Sequence, residues 1–245
     1  DVDVSFAQTT WTLARDVMRP LDFGPPVFYD QLSLAAWRDA EGGSPLSGRP
    51  AAACAAAGST ALTLLEDLTI RHARPWTVRP LPNWSDVLQA FLSRECAVAV
   101  ADRAVLLNSL AELTLGEAPI IRDEPAARQP IAPLTSNQDR DWQVVVRWAM
   151  YALFLAEEKG VTAGNAAQKR NDDDGETRRL LGGGAPEAAQ RLGLHPDWAF
   201  RMLTKVGNYG EIFERNLGEG SAYRLPRGPN RPWTQGGLLY APAWQ

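Results

Sequence analysis

The chain has 245 residues, of which 45% are hydrophobic and 22% are charged. This composition is typical of a globular protein, and the length allows one large core or two moderate ones. The formal net charge of −4 gives no electrostatic reason to bind nucleic acid or an anionic membrane surface, so we expect no nucleic-acid partner.

The first part of the chain predicts two extended segments. Residues 2–6 alternate apolar and polar side chains, which predicts a strand that ends in a polar loop. A second extended segment, 27–37, follows two prolines and is expected to cross from one domain to another. Residue 1 is Asp rather than Met, so we expect the native polypeptide to start earlier.

The middle of the chain, 46–116, predicts alternating strands and helices. Strands are predicted at 51–55, 77–81 and 97–101, and helices at 61–67, 85–92 and 103–113. Because helix follows strand throughout, the pattern predicts a parallel sheet covered by helices. Ser85 is the predicted N-cap of the second helix.

The remaining chain is predicted to be mainly helical. The short apolar run 118–121 is interpreted as the return crossing, and a proline-rich polar stretch follows it up to Asp141. Apolar residues at three- and four-residue spacing then predict an amphipathic helix that ends at Lys159-Gly160. A last long helix is predicted at 196–216, and the tail from Gly218 is expected to pack as ordered irregular chain.

The residues that usually carry catalysis or hold metals are scarce. His72 and His195 have no cysteine or serine elbow beside them, and no GxSxG, Walker A, HExxH or EF-hand pattern occurs. The sequence therefore predicts no enzyme, no cofactor and no metal site. Cys54 and Cys96 are too few for zinc, and the residues alone leave open whether they form one disulfide or two buried thiols.

Two loops carry residues suited to binding a small anion. Each follows a predicted strand and opens a predicted helix, where backbone N–H groups and the helix dipole favour a carboxylate. The guanidinium in the first loop can hold a carboxylate bidentately, and the small residues of the second let a ligand approach the backbone. The first loop holds Thr10, Thr12 and Arg15, and the second holds Gly58, Ser59 and Thr60.

Each of these residues also has a structural interpretation. Thr10 and Thr12 are suited to ordinary N-capping, and Arg15 to a solvated position on a helix. Asp102, at the end of strand 97–101, either caps the following helix or accepts the ammonium group of a ligand. Taken one at a time, these residues leave both interpretations open.

Six segments taken together carry a resemblance to a known family: residues 2–16, 54–60, 96–102, 147–161, 198–218 and 236–242. Their sequences include VDVSFAQTTWTLARD, CAAAGST, CAVAVAD and VGNYGEIFERN. With these motifs the chain resembles the polar amino-acid family of periplasmic substrate-binding proteins of ABC importers, in its general L-amino-acid-binding branch. The resemblance spans nearly the whole chain.

The resemblance implies an α/β fold, the two-lobed clamshell of type II periplasmic binding proteins, followed by C-terminal helices. Lobe one and the first crossing strand would occupy 1–30, and lobe two 31–117. The return crossing, the rest of lobe one and the C-terminal helices would occupy 118–245. The family begins lobe one with a segment that has no counterpart here, so the resemblance implies an incomplete lobe one. We expect the apolar face of strand 2–6 and one strand edge to be open, or covered by another chain.

The resemblance also implies roles for the site residues. Arg15 and Thr10 would hold the carboxylate of a free L-amino acid from lobe one, Thr60 would bind the same carboxylate from lobe two, and Asp102 would bind the ammonium. Cys54 and Cys96 would form the disulfide of this branch. A signal peptide, a periplasmic location and an ABC transporter permease as partner follow from the same resemblance.

Two departures from the family pattern border the implied cleft. Ala7-Gln8 replaces an Arg-Asn pair before Thr9, and Arg103-Ala104 replaces a smaller polar pair after Asp102. Three hypotheses follow. The chain is a receptor that captures an amino acid for an importer, or a binding-impaired structural or docking subunit that retains the fold. The third and weakest is an enzyme or sensor domain built on the same fold.

Overall fold

A computed structural model describes residues 2–17, 20–38, 42–71, 73–111, 118–182 and 186–245, apart from the side chains of residues 111 and 125–128. His72 and the predicted end of lobe two at residue 117 lie outside these ranges. The chain divides into two compact units, of which unit 1 is Asp1–Tyr29 with Pro130–Gln245 and unit 2 is Asp30–Gln129. Unit 2 therefore extends beyond the predicted range 31–117.

Within the described ranges the chain forms eight strands and ten α-helices, besides three short 3-10 helices. The strands are β1 (Val4–Ser5), β2 (Leu21–Phe23), β3 (Phe28–Ala36), β4 (Ala51–Ala56), β5 (Trp76–Leu81), β6 (Val98–Asp102), β7 (Ile120–Ile131) and β8 (Leu134–Ser136). The helices are α1 (Leu13–Val17), α2 (Thr60–Arg71), α3 (Trp84–Leu92), α4 (Arg103–Ala111), α5 (Arg140–Glu158), α6 (Ala166–Lys169), α7 (Gly175–Gly182), α8 (Pro186–Arg191), α9 (Trp198–Val206) and α10 (Tyr209–Asn216).

Unit 2 is built on a five-stranded sheet with the order β5-β4-β6-β3-β7. Strand β4 pairs in parallel with β5 and β6, as the alternation of strands and helices predicts. Strand β3, which the sequence predicts only as a crossing segment, runs antiparallel to β6, with Leu32 opposite Asp102. Because β3 enters unit 2 from unit 1 and not through a strand–helix–strand crossover, nothing constrains it to be parallel.

Apolar side chains cover both faces of this sheet. One core cluster includes Leu32, Leu65 and Val98, and the other includes Val87 and Phe91. Helix α3 begins one residue earlier than predicted, at Trp84. Its N-cap is Asn83, whose side chain accepts a hydrogen bond from the N–H of Asp86 at 3.0 Å, so the assignment of Ser85 as the cap is wrong.

Strands β3 and β7 each pass through a boundary between the units. The first boundary lies between Tyr29 and Asp30, and the second between Gln129 and Pro130. The sequence predicts only a short apolar run at the return crossing, whereas β7 continues through the proline-rich stretch that follows. Prolines are tolerated here because β7 lies at the end of the sheet order, where not every N–H needs a partner strand.

Unit 1 contains a small antiparallel sheet with the order β1-β8-β2. The predicted strand 2–6 is reduced to Val4 and Ser5, which pair with Thr135 and Leu134. Val2 and Phe6 are 78% and 54% exposed. Strands β1 and β2 thus occupy the two ends of this sheet.

The larger core of unit 1 is helical and includes Phe154, Leu203 and Phe213. The predicted single helix 196–216 is in fact two helices, because Gly207 adopts a φ of +81° between α9 and α10. Asn208 and Glu211 form a reciprocal capping box at the start of α10. Among the described helices, none is long and apolar enough to cross a membrane.

The tail after α10 packs on unit 1 as irregular chain. The side-chain amide of Asn230 accepts from the N–H of Tyr29 at 2.6 Å and donates to its carbonyl at 3.1 Å. Further along, the backbone of Trp244 accepts from Arg179 at 2.8 Å and donates to Glu176 at 2.9 Å. These contacts attach the tail both to the first boundary strand and to α7.

Candidate ligand-binding site

The first predicted loop is held against the end of β7 within unit 1. Thr10 is buried and forms an antiparallel bridge with Ile131. The N–H of Trp11 donates to the carbonyl of Pro130 at 2.8 Å, and the N–H of Ala132 donates to the carbonyl of Thr9 at 3.3 Å. Backbone hydrogen bonds to residues 130–132 therefore hold this loop in place.

Arg15 lies against the same loop. Its Nη1 donates to the carbonyl of Thr10 at 3.1 Å, and its backbone N–H donates to Thr12 Oγ1 at 3.3 Å. The guanidinium has five N–H donors, and the contact with the Thr10 carbonyl holds its planar group against the loop. The hydroxyl of Thr12 is used as a helix-capping acceptor. The structure thus brings Thr10, Thr12 and Arg15 together, and an arginine in this arrangement can bind a carboxylate.

The second predicted loop lies in unit 2, between β4 and α2. Gly58 has a φ of +68°, a conformation that favours glycine. The hydroxyl of Ser59 donates to the carbonyl of Ala56 at 2.6 Å and accepts from the N–H of Leu62 at 3.1 Å. Ser59 thus shapes the turn and caps α2, and the loop presents the N-terminus of this helix, where backbone N–H groups favour an anion.

Thr60 contacts Gln129, a residue that no sequence motif singles out. Its hydroxyl donates to Oε1 of Gln129 at 2.9 Å, and Gln129 is only 4% exposed. These two residues are 69 positions apart, and Gln129 lies in a stretch that resembles a loop by composition. No local sequence signal could have paired them.

Asp102 is the last residue of β6, and α4 begins directly after it. A network of polar groups surrounds the start of this helix. Asp30 accepts hydrogen bonds from the N–H groups of Gln31 and Ala104, at 2.9 and 3.4 Å. Burial raises the pKa of Asp30 above its ordinary value, although these N–H groups act in the opposite direction.

Arg103 is one of the residues that depart from the family pattern. It forms an ion pair with Asp123 on β7, and the hydroxyl of Ser33 donates to the same carboxylate at 2.7 Å. The positive charge of Arg103, next to Asp102, is therefore compensated by the carboxylate of Asp123 on β7.

The predicted site residues fall into two groups. Thr10, Thr12 and Arg15 belong to unit 1, whereas Gly58, Ser59, Thr60 and Asp102 belong to unit 2. Contacts join Arg15 to Thr10 and Thr12 in the first group. That both groups act on one ligand stays a prediction.

Cys54 and Cys96 are joined by a disulfide with a Cα–Cα distance of 6.0 Å. Cys54 lies within β4, and Cys96 lies just before β6, which is the parallel neighbour of β4. Both residues are fully buried. The disulfide implied by the resemblance is thus present inside unit 2.

Comparison with solved structures identifies the class of protein. The chain matches an ABC transporter periplasmic binding protein from Brucella ovis with glutathione bound, at a TM-score of 0.88 and 30% identity, covering 100% of this chain and 77% of that one. It also matches an ancestral arginine-binding protein bound to arginine, at a TM-score of 0.52 and 19% identity over 65% of this chain and 67% of that one. The fold is that of a periplasmic binding protein.

Curated relatives identify the family. The chain is 33% identical to the general L-amino acid-binding periplasmic protein AapJ of Rhizobium johnstonii, over 99% of this chain and 71% of the relative. It is 33% identical to the glutamate/glutamine/aspartate/asparagine-binding protein BztA of Rhodobacter capsulatus, over 100% of this chain and 72% of the relative. No family model matches the chain. On these similarities, the chain belongs to the family of periplasmic amino-acid-binding proteins of ABC transporters.

Proposed function

We propose that the chain is a non-catalytic receptor in the periplasm that captures a free L-amino acid and delivers it to the permease of an ABC importer. The observation that carries this proposal is the position of Arg15, whose guanidinium lies against the loop that contains Thr10 and Thr12. A guanidinium held by the backbone of a loop, with further N–H donors on the same planar group, is suited to an α-carboxylate. The names of the relatives AapJ and BztA support an amino acid as the ligand.

The unit 2 residues supply the complementary half of the proposal. An amino acid is a zwitterion, so its receptor needs an anion-binding group and a carboxylate that accepts from the ammonium. The N-terminus of α2 with Thr60 supports the first role, and Asp102 at the end of β6 supports the second. In this proposal, the N-terminus of α2 binds the carboxylate of the zwitterion and Asp102 binds its ammonium.

A thermal-shift screen tests the proposal directly. The twenty L-amino acids and glutathione are added separately to the full chain at roughly a hundredfold excess over a micromolar dissociation constant. A ligand at this excess stabilises the native state by about 2.7 kcal/mol, which gives a clear rise in melting temperature. We expect such a rise with at least one amino acid.

Two substitutions assign the binding to the proposed residues. Arg15→Ala is expected to weaken binding of that amino acid by about 3 kcal/mol, because a desolvated carboxylate loses its charged partner. Arg140→Ala is the matched control in the same unit, because Arg140 is exposed at the start of α5. Isothermal titration calorimetry measures both. Equal affinities for the two variants would remove Arg15 from the site.

A binding-impaired docking subunit is the second candidate, and one observation favours it. The hydroxyl groups of Ser59 and Thr60 both donate within unit 2, to Ala56 and Gln129, so neither is directed to a ligand. The same thermal-shift screen separates the two functions. A melting temperature that no amino acid changes would support the docking subunit.

A further inference from the structure

Two adjacent residues of β7 each contact one of the two predicted ligand loops. Gln129 contacts Thr60 in the second loop, within unit 2. Pro130 accepts a hydrogen bond from Trp11 in the first loop, within unit 1. The boundary between the units falls between these two residues. A single peptide bond therefore joins the residue that orients Thr60 to the residue that holds the first loop.

The contact on the unit 1 side is a backbone pairing that extends over several residues. Besides the bond from Trp11 to Pro130, Thr10 bridges Ile131 and Ala132 donates to Thr9. A change in the backbone of β7 at Pro130 would alter several of these bonds at once. The position of the first loop thus depends on the conformation of β7.

The contact on the unit 2 side is a hydrogen bond between two side chains. Thr60 uses its only hydroxyl proton to donate to Gln129 Oε1, which is buried. A ligand carboxylate has no proton to give, so it can bind this hydroxyl only if the proton turns towards the ligand. Gln129 must then move, or rotate its amide so that Nε2 donates to Thr60 Oγ1.

We propose that Gln129 is a positioning residue that couples the orientation of the Thr60 hydroxyl to the conformation of β7, and through it to the first loop. This inference rests on the proposed function. An amide suits the role because it accepts from Thr60 in one orientation and donates to it in the other. A carboxylate only accepts, and a methyl group does neither.

Binding measurements on two variants test the coupling. Gln129→Ala removes the partner of Thr60 and is expected to weaken binding about tenfold, the usual loss for one hydrogen bond. Gln129→Glu keeps the acceptor, loses the donor and adds a negative charge, so it is expected to bind more weakly than Gln129→Ala. The first probes are L-glutamate and L-arginine, followed by the amino acid that stabilises the unsubstituted chain most.

A matched control comes from Gln143, which is also buried and donates to the carbonyl of Ser136 at 2.7 Å. Gln143→Ala removes a comparable hydrogen bond in unit 1 without touching either ligand loop. It is expected to lower the melting temperature but to leave the affinity unchanged. Equal affinities for the unsubstituted chain and both Gln129 variants would overturn the inference.

Amide hydrogen exchange tests the same coupling without a ligand. Gln129→Ala is expected to speed exchange at the start of α2 and also at the N–H of Trp11, which donates to Pro130. Gln143→Ala is expected to change neither. If the chain binds no amino acid, the proposed function fails, and exchange alone decides the coupling. The coupling would be overturned if Gln129→Ala speeds exchange at α2 but not at Trp11. It would also be overturned if exchange at both sites is unchanged.

Discussion

Glu157 and Arg227 form an ion pair inside unit 1, with N and O atoms 2.8 Å apart and side chains only 12% and 15% exposed. The guanidinium also donates to the carbonyl of Asn230 and lies 4.9 Å from the ring centre of Phe213. Burial raises the pKa of Glu157 above its ordinary value, and Arg227 acts against this rise. Removing Arg227 would leave a buried carboxylate without its cation.

Arg227→Met is therefore expected to destabilise the chain by about 3 kcal/mol at pH 7.5. Because the folded-state pKa of Glu157 is raised, the protonated form is stabilised by folding. That contribution is fully present below the unfolded pKa and is lost as the pH rises through the folded one. The variant raises the folded pKa further, so its deficit should shrink as the pH is lowered to 5. Urea unfolding at both values measures this.

The exposed Arg231 provides the control, since Arg231→Met should change stability little at either pH. The double variant Glu157→Gln with Arg227→Met should recover part of the loss and remove its pH dependence. An Arg227→Met deficit that is equal at both pH values would show that packing on Phe213, and not the charge, dominates.

At the scale of elements, the break between α9 and α10 depends on one glycine. Gly207 has φ +81° and ψ −172°, a region that only glycine occupies readily. A Cβ placed there would lie 2.6 Å from Oε2 of Glu211. That carboxylate accepts from the N–H groups of Asn208 and Ala163, at 2.9 and 3.1 Å, so it cannot move without breaking these bonds.

Gly207→Ala is expected to cost about 2 kcal/mol or more, from backbone strain together with disruption of the capping box. Gly193→Ala separates the two causes, because Gly193 has φ +68° but a Cβ there meets open space. The control should cost about 1 kcal/mol from strain alone. Chemical denaturation of both variants gives the comparison. Equal losses of stability in the two variants would mean that the Glu211 side chain moves away from the new methyl group at no cost.

At the scale of the whole molecule, the disulfide lies in one unit only. Cys54 and Cys96 are 42 residues apart, and both belong to unit 2. Closing a loop of this length stabilises a protein by about 4 kcal/mol in the chain-entropy model. Replacing both cysteines with alanine is expected to destabilise unit 2 by about this amount. Amide hydrogen exchange followed by mass spectrometry measures this. In the variant, the amides of β4 should exchange faster, whereas those of α5 in unit 1 should exchange at nearly the same rate.

The sequence predicts the elements of unit 2 well where the signal is local. Strands β4, β5 and β6 and helix α3 follow from apolar runs bounded by turn residues, and each lies within one or two residues of its predicted bounds. The break at Gly207 is missed because the apolar spacing continues across it. The end of α9 is marked by Gly207, and the start of α10 by the cap that Asn208 and Glu211 form.

The candidate site is predicted only in part. Arg15 and Thr10 are close in sequence, so their contact follows from the loop that contains them. The antiparallel pairing of β3 with β6 and the contact of Gln129 with Thr60 join residues about 70 positions apart. Composition and periodicity carry no information on such pairs, because they arise from how the strands pair and not from local preference.

The pairing of Asn230 with Tyr29 has a consequence for the order in which the chain folds. These residues are 201 positions apart, whereas unit 2 is one continuous segment closed by its own disulfide. Loop closure over a longer separation is slower. Unit 2 is therefore expected to reach its native structure first, whereas Tyr29, on the unit 1 side of the boundary, pairs only once Asn230, 201 positions later, is in place. In refolding with pulsed hydrogen exchange, β4 should gain protection before the N–H of Tyr29.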